Sequence, residues 1–140
     1  MNSNTNPDCI FCKIVDGSLP SVKIYEDSET IAFLNNHPVH PGHALVIPKD
    51  HFENVYTVPA ELWARMNLTA QKVAIAIREG VDADGINIVV NNESPAGQDV
   101  FHSHIHIIPR HNDDGLKHWD GKDASIEERE ISAEKIKAAL

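Results

Sequence analysis

The sequence predicts one α+β domain built on an antiparallel sheet of about five strands, with one long helix and short helices near the termini. Three observations lead there. The 140-residue chain is 41% hydrophobic, the size and content of a single core, and no repeat or Pro/Gly/Ser-rich linker divides it. Its apolar runs are short and rich in β-branched residues in several places, and only one stretch sustains helical spacing over a long span.

Residues 1–8, rich in Asn and poor in apolar side chains, are expected to form a loose tail ahead of a domain over 9–110. Ile10 to Val15 reads as a short apolar helical turn that stops at Asp16-Gly17, with Pro20 beyond. Val22–Tyr25 and Thr30–Leu34 flank the polar Glu26-Asp27-Ser28-Glu29 and predict a hairpin. After a turn-rich stretch, Asn35 to Gly42, the continuous apolar run His43–Pro48 predicts a buried strand that Pro48 ends. Pro59 suits the first turn of a helix, along which Leu62, Met66, Val73 and Ile77 recur on one face before Gly80. Ile86–Val90 and Ser103–Ile108 predict two more strands, joined through the turn residues Ser94-Pro95-Ala96-Gly97. Residues 111–140 are expected to pack on the same domain. Within them Ser125 and Glu128 form a capping box for a last helix docked by Ile136 and Leu140.

Charge narrows the function. Twelve Lys+Arg against 21 Asp+Glu leave a net −9, which argues against a nucleic-acid partner. The N-terminus lacks the basic start and apolar stretch of a leader, and no segment approaches the roughly 18 apolar residues of a membrane span, so a cytoplasmic protein without a membrane partner is expected.

The chemistry concentrates in His102-Ser103-His104-Ile105-His106. On a strand, alternate side chains share a face, so three imidazoles stand in a row. Crowded imidazoles resist simultaneous protonation, and neutral ones serve as nucleophile, base or metal ligand. Cys9 and Cys12, the only cysteines, have the spacing of a metal clamp or a redox pair. A structural zinc needs four ligands, however, so histidines would have to complete the set. The alternative is a reduced, metal-free pair.

With its flanks, the histidine string resembles the histidine triad (HIT) family of nucleotide hydrolases and transferases. Asn91 to Phe101 is similar to the family's Asn-bearing strand end and Gly-Gln loop. Pro41-Gly42-His43-Ala44-Leu45-Val46-Ile47-Pro48-Lys49-Asp50-His51 and Cys9-Ile10-Phe11-Cys12-Lys13-Ile14 resemble further family stretches, in the same order. The resemblance implies a HIT-like fold and hydrolysis at a purine nucleotide's α-phosphate, as in a phosphoramidate or adenylylated adduct. His104 would be the nucleophile, His106 a donor to phosphate oxygen, and Gln98 a donor near the scissile bridge. It also implies that Asn91 lines the site, that Ile10, Phe11 and Phe33 meet the base, and that Asn35 stands where members carry a ribose-binding Asp. Asp99 replaces a Ser of one branch, and an acid there disfavours an anionic leaving group if it points inward. The resemblance further implies a zinc held by Cys9, Cys12, His51 and His102. A homodimer through the long helix and an edge strand is implied too, with small positions such as Ala70, Ala74 and Ala76 allowing close packing. Dinucleoside polyphosphate hydrolysis, or a zinc-stapled nucleotide-binding protein with incidental turnover, are the alternatives. His37, His40, His43, His111 and His118 are read as structural or solvated.

Overall fold

The computed structural model describes residues 4–140. The elements run α1 (Ile10–Asp16), β1 (Lys23–Glu26), β2 (Thr30–Leu34), β3 (Ala44–Pro48), α2 (Ala60–Gly80), β4 (Gly85–Val89), β5 (Ile105–Arg110) and α3 (Ile126–Lys137), with a 3₁₀ turn at Ser94–Ala96. The five strands form one antiparallel sheet in the order β1-β2-β3-β5-β4. The hairpin turn is braced by Asp27, whose Oδ1 accepts the N–H groups of Glu29 and Thr30.

Period-two alternation divides the core into two layers. Ala32, Ala44, Val46, Ile105 and Ile107 point to the face covered by α2, where Met66, Ala70, Val73 and Ile77 meet them. Ile31, Phe33, Leu45 and Ile47 point to the opposite face, which α1 covers with Phe11 and the two cysteines. Met66 is fully buried in the first layer, and its truncation to Ala would cost about 2–5 kcal/mol. The alternation that turns Ile105 and Ile107 toward α2 turns His104 and His106 toward α1.

Strand β5 starts later than the sequence suggests. Its ladder with β3 ends at Val46↔Ile105, so only His106 of the triad lies in paired strand. Pro48 has no N–H to continue the ladder, and its carbonyl is taken by the His102 side chain, while the Ser103 N–H goes to Phe52.

Both ends of the chain differ from expectation. Residues 1–3 of the expected loose tail lie outside the described residues, and the next few are tied down. The His51 N–H donates to the Asn4 carbonyl, the Asn4 side chain returns a bond to His51, and the Asn6 N–H points at the Cys12 sulfur at 3.4 Å. At the other end, Arg110 holds Asp114 by a two-pronged ion pair that keeps the Asp114 carboxyl well below the usual carboxylate range. The Ser125–Glu128 capping box forms. Yet α3 buries no side chain, and Ile136 and Leu140 do not dock, remaining 61% and 97% exposed. Ile126, Ile131 and Ile136 recur every five residues, which spreads them around a helix of 3.6 residues per turn.

Candidate functional site

The C-x2-C spacing folds into the start of α1. Cys9 is its N-cap, with its sulfur accepting the Cys12 N–H, so both thiols sit at one end of the helix. His51, beyond β3, and His102, before β5, approach the same point. The four ligand atoms lie within 4.8 Å of one another. The two imidazole Nδ1 atoms are 3.3 Å apart, and sulfur–nitrogen distances are 3.4 Å for Cys9–His102, 3.4 Å for Cys12–His51 and 3.6 Å for Cys12–His102. A tetrahedron with Zn–N of about 2.05 Å and Zn–S of about 2.3 Å has edges of roughly 3.3 Å for N–N and 3.6 Å for S–N. The donor set therefore fits a zinc ion.

The chemistry of His102 fits as well. Its Nε2–H donates to the Pro48 carbonyl at 2.8 Å, which leaves the Nδ1 lone pair facing the sulfurs and His51. Burial, aided by His51 and His104, holds its pKa down to about 4, so the ring is neutral. Burial also pushes the Cys12 thiol up, against the Asn6 N–H that favours its thiolate; a bound cation would reverse that preference.

His104 is buried against Phe11, their rings 5.2 Å apart and edge to face. Its Nδ1–H donates to the main-chain carbonyl of His102 at 2.7 Å, and burial lowers its pKa. The unprotonated Nε2 is then the nucleophilic atom of the ring.

His106 lies beside His104, with ring centroids 4.9 Å apart. Its tautomer is set by His43, a residue whose role the sequence reading missed. The Val39 N–H donates to His43 Nδ1 at 3.0 Å, so His43 carries its proton on Nε2 and donates it to His106 Nδ1 at 3.0 Å. His106 is left with Nε2–H as a donor. Burial, with His104 and His43 beside it, brings its pKa down to about 4. A signal for His43 was present in the sequence, because His43, Leu45 and Ile47 alternate and the latter two belong to the triad-side layer.

The remaining site residues divide. Gln98 is 4% exposed, and its amide is committed to the protein: Nε2 donates to the Glu53 and Val100 carbonyls, and Oε1 accepts the Glu93 N–H. The expected donor at a scissile bridge is here a brace for the loop into the triad, because buried main-chain groups claim its hydrogen-bonding capacity. Asn91 is half-buried beside Gly97, whose φ of +96° closes the 3₁₀ turn in a conformation that L side chains rarely adopt. Asn35 closes a turn through Oδ1, which accepts the His37 N–H at 2.8 Å, and its Nδ2 stands 3.5 Å from His43 Nε2. Phe11 and Phe33 pack edge to face and are buried, whereas Ile10 is exposed. Asp99 is exposed, and a carboxylate there acts against the burial that lowers the pKa values of His104 and His106. Ala70 is buried in the α2 layer and so cannot face a partner; Ala74 is half-buried and Ala76 exposed. Among the described residues, no helix is long and apolar enough to cross a membrane.

Residues 16–113 match the HIT domain family. The chain is 50% identical over 104 residues to Protein hit of Bacillus subtilis (strain 168), covering 74% of this chain and 72% of that protein. It is 40% identical over 115 residues to the Adenylylsulfatase HINT3 of Arabidopsis thaliana, covering 82% of this chain and 58% of the relative. Among solved structures, a zinc-bound histidine triad family protein from Mycobacterium smegmatis superposes with a TM-score of 0.76 at 39% identity, covering 95% of this chain and 98% of the other.

Proposed function

The chain belongs to the HIT domain family, and from that premise we propose that it hydrolyses the α-phosphate bond of purine nucleoside phosphoramidates or adenylylated adducts, releasing a nucleoside monophosphate through a covalent nucleotidyl-His104. The observation that carries this reading is the hydrogen bond from His104 Nδ1–H to the His102 carbonyl, which leaves Nε2 with its lone pair in a buried, neutral ring. The adenylylsulfatase name of the Arabidopsis relative supports a substrate cleaved at an adenylyl phosphorus.

In the proposed reaction His104 Nε2 bonds to phosphorus while the bond to the leaving group breaks and its electron pair departs with that group. His106 Nε2–H, oriented by His43, donates to a non-bridging oxygen as charge gathers there. Water then attacks the adduct, returns the pair to His104 and releases the monophosphate. Asn91, Asn35 and Ile10 would meet the nucleotide, with Phe11 and Phe33 backing the site. Cys9, Cys12, His51 and His102 would hold a structural zinc, which joins the N-terminal segment to the triad and fixes His102.

The test compares wild type with His104→Ala on an adenosine phosphoramidate. Turnover is expected to vanish in the variant while AMP binding is kept, and rapid quenching of wild type should trap an acid-labile adduct. Equal turnover in both proteins would leave a nucleotide-binding protein rather than an enzyme. Faster cleavage of diadenosine polyphosphate than of the phosphoramidate would favour that alternative substrate.

A homodimer also belongs to this proposal. Strand β4 is an edge of the sheet, its Ile88 is 52% exposed, and Leu68 and Ile75 lie exposed on the outer side of α2. Light scattering at micromolar concentration should return twice the chain mass, and a monomer mass would reject it. Two cysteines held as metal ligands rather than as a disulfide suit a reducing compartment, the cytoplasm.

A further inference from the structure

The segment that follows β5 meets the turn that precedes β3 where His40 Nε2 lies 3.1 Å from Asp114 Oδ2. Asp114 is a firm anchor. Its side chain is 6% exposed, Arg110 donates to both oxygens at 2.7 and 2.8 Å, and the main-chain N–H groups of His111 and Leu116 donate to the same carboxylate. Arg110 is held in turn by Asn87 Oδ1 on β4 and by the Leu116 carbonyl. A carboxylate paired in this way stays ionised and only accepts, so the His40 nitrogen facing it carries a hydrogen and donates. The His111 ring packs edge to face on the His40 ring, with centroids 5.4 Å apart.

His40 sits in the turn that surrounds His43. Its carbonyl accepts the His43 N–H at 3.0 Å, and its neighbour Val39 donates its N–H to His43 Nδ1, also at 3.0 Å. The second bond puts the His43 hydrogen on Nε2, from which it reaches His106 Nδ1. Residues 36–39 and 41 are exposed, whereas His40 is half-buried, so the His40 side chain is what fastens this stretch to the body of the protein. Gly42 seats the end of the turn at φ +97°, where a Cβ would lie 2.9 Å from Val81 and 3.6 Å from Pro109. Pro109 and Arg110 belong to β5, the strand that carries His106, so the turn and His106 share one support.

We propose that His40 is a positioning residue for the nucleotidyl transfer: anchored by Asp114, it holds the Val39 N–H on His43 Nδ1 and so sets, through His43, the Nε2–H that His106 offers to phosphate. This rests on the transfer reading above and gives the start of the C-terminal segment a part in that site. A latch that only fastened the C-terminal segment would leave the His43 tautomer alone.

The test uses the full chain and two readouts. Ring-nitrogen NMR spectra should show one His43 tautomer in wild type, with hydrogen on Nε2, and a mixture of both tautomers in His40→Ala. His40→Gln, whose amide N–H has a similar reach toward Asp114, should restore the wild-type pattern. On an adenosine phosphoramidate, His40→Ala should lower kcat about fivefold with a smaller change in KM, a loss bounded by that of His43→Ala because one residue acts through the other. For the same reason, adding His40→Ala to His43→Ala should change kcat by less than about twofold. Should His40→Ala fail to fold, His40→Leu, which keeps the bulk and lacks the donor, is read in the same way. An unchanged His43 tautomer, or a fall in kcat as large on the His43→Ala background as on wild type, would overturn the assignment. No turnover by wild type would remove the transfer reading, while the ring spectra would still decide whether His40 sets the His43 tautomer.

Discussion

The main-chain carbonyl of His102 accepts the Nδ1–H of His104 at 2.7 Å. The imidazole of the same residue faces Cys9, Cys12 and His51. One residue therefore couples the Cys/His cluster to the tautomer of the proposed nucleophile, and a disturbance of the cluster reaches His104 through two peptide units.

The first prediction follows from that coupling. Purified protein should carry about one zinc per chain, since a closed tetrahedral set binds as part of folding. Cys12→Ser should lower zinc content and melting temperature together. Chelation should reduce activity in step with loss of structure, because a metal held there would orient His102 and meet no substrate. A protein purified without metal, with a melting temperature indifferent to chelator and added zinc, would reject the site.

His43 supplies the second. His43→Ala removes the donor to His106 Nδ1, so His106 is free to adopt the tautomer that presents no Nε2–H. The expected result is a fall in kcat of roughly tenfold, the scale of one hydrogen bond at about 1.4 kcal/mol per decade, with a smaller change in KM. A variant with wild-type kcat and an unshifted pH–rate profile would show that the His43 bond does not orient His106.

Asn35 supplies the third. Its Oδ1 is occupied by the His37 N–H, so the group left to meet a sugar is the Nδ2 donor. Asn35→Asp keeps the turn and replaces that donor with a carboxylate oxygen, which accepts strongly from vicinal hydroxyls. Binding of ribonucleotides should tighten more than that of deoxyribonucleotides, measured by calorimetry on the His104→Ala background. Equal changes for both sugars would place the ribose elsewhere.

The fourth concerns pH. Burial, then His104 and His43, lowers the His106 pKa from 6.5 to about 4, and burial lowers His43 in the same direction. Between those values the unfolded chain binds more protons than the folded one, so stability present above pH 6.5 is lost as pH falls toward 4. Denaturant midpoints should drop across that window, and less so in His106→Asn. A pH-independent midpoint would mean that these rings are protonated in the fold.

Local patterns in the chain determined the elements, because they depend on near neighbours. Short apolar runs marked β2 and β3, and spacing marked the face of α2 at Leu62, Met66, Val73 and Ile77. The Ser125–Glu128 pair marked the start of α3, as the structure bears out. The family resemblance identified the four residues that converge as the Cys/His cluster. The orientation of the active groups was decided only by tertiary structure. Main-chain acceptors leave no trace in residue identity, so the carbonyls of Pro48 and His102 that set two tautomers could not be read from the sequence. His43 meets His106 across 63 positions of chain: alternation with Leu45 and Ile47 puts His43 on the triad side, but only the pairing of β3 with β5 brings the two rings together. Gln98 reads the same whether its amide faces a ligand or a backbone, and the buried carbonyls of Glu53 and Val100 claim it because an unpaired polar group in the interior costs more than the bond yields at the surface.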